Sequence, residues 1–282
     1  MAYKTLITVL TDASLVAPTL AQAEALAARS DAHLEVVCLG VDRTQAGYYY
    51  GGASAILVEQ SMARAQAEAG EIEAAVRANL KTSTIRWSCE TTVTQITDIP
   101  HRIGQRARFA DLAVLPRPYG KDHGAELEAV AEACLFNGAV PTLIVPPDGA
   151  DGAQSIPPLR IVAGWNESPE AMNAIRAALP LMVAADKVHV VVVDPPVHGP
   201  GRSDPGGQVS QFLARHGVRV EIDVLSKTMP RVSDVLMRHA VDMQADMMVM
   251  GGYGHSRFRE AVFGGATRNM LEAATLPLFM AH

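Results

Sequence analysis

Cysteine is scarce in this chain of 282 residues. Cys38, Cys89 and Cys134 form an odd, widely spaced set that matches neither a disulfide framework nor a CxxC metal site, which points to a reducing compartment, the cytoplasm. Positive charge is short too: 24 Lys plus Arg stand against 30 Asp plus Glu, a net charge of -6. That leaves no electrostatic footprint for duplex nucleic acid or an anionic membrane, whereas a small anionic ligand needs only a local positive pocket. No 18-residue apolar stretch occurs, and the opening Met1-Ala2-Tyr3-Lys4 segment turns polar after one short apolar run, so export and membrane spanning are not expected.

Familiar signatures of chemistry are missing as well. There is no GxxxxGK[ST], and the first strand-to-helix turn of neither half carries GxGxxG, which argues against P-loop and dinucleotide-binding readings. HExxH, CxxC and GxSxG are absent, and His255 and Ser256, being adjacent, point their side chains differently. His216 and His239 are expected on solvated helix faces, and the four methionines between 243 and 250 in a buried strand. No catalytic residue and no metal ligand is therefore expected, and the chain reads as a binding protein rather than an enzyme.

What the sequence does contain is one design written twice. Apolar, β-branched runs at 5–10, 34–41, 84–89, 111–115 and 140–145 return in the same order at 160–165, 188–193, 218–224, 246–250 and 276–281, separated by Ala-rich stretches of helical spacing. The halves lose register mainly between the second and third runs, where the first half carries a Tyr48-Tyr49-Tyr50 loop and a long helix over 53–80. The second has a Gly/Pro-rich loop and a shorter helix near 207–216. Near-continuous apolar strands alternating with amphipathic helices predict an α/β fold: two tandem doubly wound, flavodoxin-like domains, each with a five-stranded parallel sheet. The Gly/Pro-rich stretch 146–158 is the natural linker, with domains at 1–150 and 157–282.

Open α/β sheets bind ligands beyond the carboxyl ends of their strands, beside the point where strand order reverses. In the second half the segment after the fourth strand carries the frame Gly251-x2-Gly254-x9-Gly264, followed by Gly265, Ala266 and Thr267 at the start of a helix over 268–274. Glycines let backbone N–H groups approach a phosphate closely, and a helix N-terminus favours anions, so a polyphosphate can be cradled without lysine. This frame, the closing segment Leu276-Pro277-Leu278-Phe279-Met280 and its counterpart Val140-Pro141-Thr142-Leu143-Ile144-Val145 resemble the universal stress protein family in its tandem two-domain form.

The resemblance implies ATP, with Mg²⁺, lying across the carboxyl ends of the first and fourth strands of the second half. It would be held by Gly164, Asn166, Gly251, Gly254, Gly264, Gly265, Ala266 and Thr267, with Val193 and Asp194 flanking the adenosine end. Two departures from the family weaken that inference: Gly265 stands where ATP-binding members carry Ser or Thr, and uncharged Asn166 stands where they use an acidic residue. Trp165 either stacks on a base or fills the core. Arg257, Arg259 and Arg268 serve phosphate or a solvated helix face equally well. The resemblance further implies a stress-response binding or signalling module whose closing strands, 140–145 and 276–281, pair within the chain, as they pair between chains in single-domain members; further oligomerisation stays open. A non-nucleotide small-molecule or partner-binding protein and a slow ATPase are the alternatives.

The first half lacks the cradle. Carrying Gly251 and Gly254 back by 135 residues lands on Pro116 and Tyr119, and the prolines there remove amide donors. The positions matching Gly264 and Gly265 are Glu128 and Ala129, a carboxylate where the anion would rest, so this half is not expected to hold ATP in the family manner. Asp12, after the first strand, is read as a helix cap. The tyrosine loop either lines a ligand surface or covers its own domain.

Overall fold

The computed structural model describes residues 3–43, 55–120, 124–146, 157–195, 204–252 and 266–282. The chain forms two compact units, Tyr3–Val140 and Pro141–His282.

In the first unit β1 (Thr5–Leu10), α1 (Val16–Ser30), β2 (His33–Asp42), α2 (Ala55–Asn79), β3 (Arg86–Gln95), α3 (Ile99–Ala107), β4 (Leu112–Pro116) and α4 (Ala125–Glu132) follow one another. The strands lie in the order β3-β2-β1-β4, and β1 pairs in parallel with both β2 and β4. All five residues of β4 and five of the six in β1 are buried, as expected of strands covered on both faces. Asp12 caps the short turn before α1, its Oδ1 accepting from Ser14 N at 2.7 Å, which is the cap read from the sequence.

The fifth run of the first half is β5 (Thr142–Val145), which falls in the second unit. There β6 (Arg160–Gly164), α5 (Pro169–Met182), β7 (Lys187–Val193), α6 (Gly207–Arg215), β8 (Val220–Leu225), α7 (Val232–Asp242), β9 (Met247–Gly251), α8 (Ala266–Ala273) and β10 (Leu278–Ala281) complete the unit. Five parallel strands stand in the order β10-β9-β6-β7-β8, and β5 joins the β10 edge antiparallel, Phe279 opposite Leu143. Written by position in the repeat this is 5-4-1-2-3. It differs from the 2-1-3-4-5 order of flavodoxin, yet the reversal still falls beside the first strand, between β6 and β9.

The repeat extends to individual hydrogen bonds. Asp111, just before β4, accepts from Lys4 N at 2.6 Å and Thr5 N at 2.9 Å; Asp246, just before β9, accepts from Leu159 N and Arg160 N, both at 2.8 Å. Each carboxylate ties down the entry of the neighbouring first strand, where two amides would otherwise lack partners. Met247, Met248 and Met250 are buried in β9, whereas Met243, the fourth methionine expected in that strand, forms the C-cap of α7 and is half-buried.

Gly40 and Gly251 mark close approaches. A Cβ on Gly40 would lie 2.0 Å from Ala65 O on α2, and one on Gly251 would lie 2.5 Å from Ala171 N at the start of α5. Only a residue without a side chain lets helix backbone settle this close to a strand.

Candidate functional site at the carboxyl edge of the second unit

The carboxyl ends of β6 and β7 bring two loops together. β6 ends at Gly164, and the chain continues through Trp165, Asn166 and Glu167 to Ser168, whose hydroxyl caps α5 by accepting from Ala171 N at 3.1 Å. Asn166 Oδ1 accepts from Ser168 N at 3.2 Å, so this acceptor shapes the turn. Trp165 N donates to Val191 O at 2.9 Å, fixing the tryptophan backbone against β7.

Glu167 and Asp194, each just beyond the carboxyl end of a strand, hold positive φ angles of 62° and 46°. Non-glycine residues adopt this region at a cost and concentrate where geometry is dictated by a site. Asp194 is held there by Lys227 N, which donates to its Oδ1 at 3.0 Å, and by its own N–H donating to Leu225 O.

These loops enclose a crevice of about 620 Å³, lined by Trp165, Glu167, Ser168 and Met172 on one side and Asp204, Gly206, Gln208 and Val209 on the other. The volume is that of a small-molecule site. Two helices begin at its rim: Ser168 caps α5, and Gly206, at φ 92°, precedes α6 with no side-chain cap. Ala171 N donates to Ser168 Oγ and Gly207 N to Asp204 O, and the charged side chains lining the crevice are the carboxylates of Glu167 and Asp204. Trp165 is half-buried and lines the crevice.

Of the residues picked out by sequence, Gly164, Asn166 and Val193 lie at this edge on the ends of β6 and β7, and Gly251 at the end of β9. Among them, none is a wall of the 620 Å³ crevice. The amide of neighbouring Gly252 donates to Ala281 O at 2.8 Å and so faces the sheet. Ala266 and Thr267 open α8, whose first turn holds no acidic residue, and Thr267 is buried. Arg268 pairs with Glu272 at 2.9 Å along the helix. Gly254, Gly264, Gly265, Arg257 and Arg259 lie outside the described residues, as does the loop Tyr48-Tyr49-Tyr50. Sequence reading missed Glu167, Asp204, Gly206 and Gln208; Gly206-Gly207 before a helical run was the one signal available for them.

The corresponding edge of the first unit is occupied by its own side chains. A crevice of about 460 Å³ there is lined by Asp12, Arg43, Arg64 and Glu68 among others. Arg43 bonds Glu68 at 2.9 Å and buried Glu126 at 2.7 Å, which hold its guanidinium protonated above the ordinary arginine value. Glu128 accepts from the Tyr119 hydroxyl at 2.6 Å. The cations an anion would need are thus already neutralised.

One expectation needs correction. His239 does not lie on a solvated face: its side chain is 11 % exposed and its Nε2 lies 2.8 Å from Asp223 Oδ2, because α7 turns its last turn onto the β7–β8 surface. His216 is exposed as read, beside the Phe212 ring. Cys38 and Cys89, far apart in sequence, meet across β2 and β3 with their sulfurs 3.3 Å apart. Parallel pairing of Val36 with Cys89 brings them together, a register that spacing alone could not reveal. Among the described residues no helix is long and apolar enough to cross a membrane.

Residues 159–282 match the model of the universal stress protein family. Universal stress protein Slr1230 of Synechocystis is 27% identical over 131 residues, which make up 46% of this chain and 39% of that protein; the chain therefore spans about two fifths of this relative. Among solved structures, a universal stress protein from Archaeoglobus fulgidus superposes with a TM-score of 0.68 at 13% identity, over 98% of this chain and 97% of that one. A functionally unknown protein from Pseudomonas aeruginosa gives 0.58 at 14% identity, over 99% and 92%. At such identities these structures share the fold alone, and both span the two halves. Residues 159–282 thus form a domain similar to the universal stress protein family.

Proposed function

We propose that the chain is a binding or signalling module of the stress response, with no dedicated catalysis, whose second unit takes an adenine nucleotide at its carboxyl edge. The observation that carries this reading is the 620 Å³ crevice walled by Trp165 beyond the ends of β6 and β7, at the carboxyl edge of the sheet where the Gly251-x2-Gly254-x9-Gly264 frame begins. In this reading the base stacks on Trp165 near the end of β7, and the phosphates run past β9 toward the glycine frame and the start of α8. Mg²⁺ would accompany the phosphates; the first unit, its arginines engaged by Glu68 and Glu126, binds no nucleotide and has a structural role. The antiparallel β5–β10 ladder supports reading the closing strands as the pairing edge, and the three free thiols suit a reducing cytoplasm.

Denaturing the purified protein and identifying what it releases tests the proposal: adenine nucleotide in the supernatant supports it. Phosphate release from ATP at equal rates in wild type and Gly264→Glu would exclude hydrolysis at the glycine frame. A second reading, a small molecule without phosphates, is favoured by Glu167 and Asp204, two carboxylates in the crevice wall, and by neutral Asn166. Release of a compound lacking phosphate would select it.

A further inference from the structure

Away from the carboxyl edge, the second unit holds a cluster that the proposed function does not use. His189 on β7, Asp223 on β8 and His239 on α7 place one donor atom each within 4.8 Å of one another. Asp223 Oδ2 lies 2.8 Å from His189 Nδ1 and 2.8 Å from His239 Nε2, and the two rings meet edge to face, their planes at 76°.

The fold explains the convergence. Residues two apart on a strand share a face, so Glu221 and Asp223 face the same side of β8. Register sets His189 opposite Glu221, and α7 packs over that surface and adds His239. The His189 and His239 side chains are 7 % and 11 % exposed, Asp223 25 % and Glu221 55 %. Two shielded imidazoles therefore aim at one carboxylate oxygen, with the open side toward Glu221, whose Oε2 lies 3.9 Å from His189 Nδ1.

We propose that His189, Asp223 and His239 form a binding site for a divalent transition-metal ion of the Zn²⁺ class, with Glu221 or water as fourth ligand. Imidazole nitrogen and carboxylate oxygen are the donors such an ion prefers, at about 2.0–2.2 Å each. Tetrahedral ligands at that length stand about 3.3 Å apart, so each 2.8 Å contact must open by roughly half an ångström. A neutral imidazole now donating its N–H to Asp223 moves that proton to its other ring nitrogen. The lone pair on His189 Nδ1 or His239 Nε2 then faces the ion, with no net proton loss. Two neutral histidines and two carboxylates leave the occupied site without net charge. Glu221 would exchange its 2.6 Å contact with Lys187 for the ion. Because β8 is the last strand of the order in this unit, the ion would staple it to β7 and α7; with Glu221 as the fourth ligand the site is closed and structural.

The test uses the untagged full chain, stripped with chelator and titrated with Zn²⁺ by calorimetry, with Co²⁺ as an optical probe. One Zn²⁺ per chain is expected, with affinity falling about 100-fold or more in His239→Asn and Asp223→Asn. His216→Asn, at an exposed histidine outside the cluster, should bind as wild type. Zn²⁺ should raise the thermal midpoint of wild type and leave that of His239→Asn unchanged. Should the variants fail to fold, X-ray absorption of the Zn²⁺-loaded wild type must still show two imidazole ligands. Absence of stoichiometric binding, undiminished binding in a folded variant, or a spectrum without two imidazoles would overturn the proposal and leave the cluster a hydrogen-bonded triad.

Discussion

Replacing Gly251 by alanine tests how β9 meets α5. The added Cβ would fall 2.5 Å from Ala171 N, 2.7 Å from Glu170 C and 2.9 Å from Glu170 Cβ, about 1 Å inside ordinary contact and against backbone that no rotamer change can move. The start of α5 must shift, and overpacking of this kind costs about 1–3 kcal/mol. For a unit of this size each kcal/mol lowers the midpoint by about 2–4 °C, so Gly251→Ala should melt about 2–12 °C below wild type. Ser168 and Pro169 move with the helix end, and both line the crevice, so ligand affinity should fall in the same variant. Gly70→Ala supplies the opposite sign: within α2 its Cβ would meet nothing within 4 Å, and the substitution should stabilise by about 0.5–1 kcal/mol. Thermal unfolding followed by circular dichroism reads both. A Gly251→Ala protein as stable as wild type would refute the close approach.

The two aspartates before β4 and β9 should behave alike. Asp111→Ala and Asp246→Ala each remove two bonds to strand-entry amides, and each should cost about 1 kcal/mol in chemical denaturation; a clear loss in one and none in the other would break the equivalence of the halves. The thiols should separate by reactivity. The hydrogen bond from Cys38 favours the Cys89 thiolate and lowers its pKa, whereas the same contact and burial push Cys38 up, and burial pushes Cys134 up to about 12. Thiolate forms as pH rises through the pKa, so alkylation read by mass spectrometry should reach Cys89 first and at the lowest pH. Cys134 should stay unmodified at neutral pH until the chain unfolds.

How much of this was legible beforehand depended on whether the signal was local. Strands such as β1 and β4 are buried on both faces, so their apolar runs announce them directly, and the doubled order of runs predicted two similar halves. Boundaries moved most where polar residues alternate: β3 continues through Glu90, Thr91, Thr92 and Thr94 to Gln95, because pairing with β2 extends through Asp42. Features made by register were not legible. The meeting of Cys38 with Cys89 and of His189 with Asp223 and His239 requires knowing which strand lies beside which and in what alignment. The repeat pointed to the carboxyl edge, yet the crevice found there is lined by none of Gly164, Asn166, Val193 and Gly251. Its Glu167–Asp204 wall was not legible, because Asp204 comes from a Gly/Pro-rich loop that carries no periodicity.

The most direct test of nucleotide binding by the second unit is a Trp165 fluorescence titration with Mg²⁺ and ATP, in a Trp87→Phe background that leaves Trp165 as the one tryptophan. A saturable change is predicted, abolished by Gly264→Glu, which sets a carboxylate in the glycine frame as Glu128 does in the first half. An emission that stays constant to millimolar ATP, or an identical titration in Gly264→Glu, would contradict the assignment.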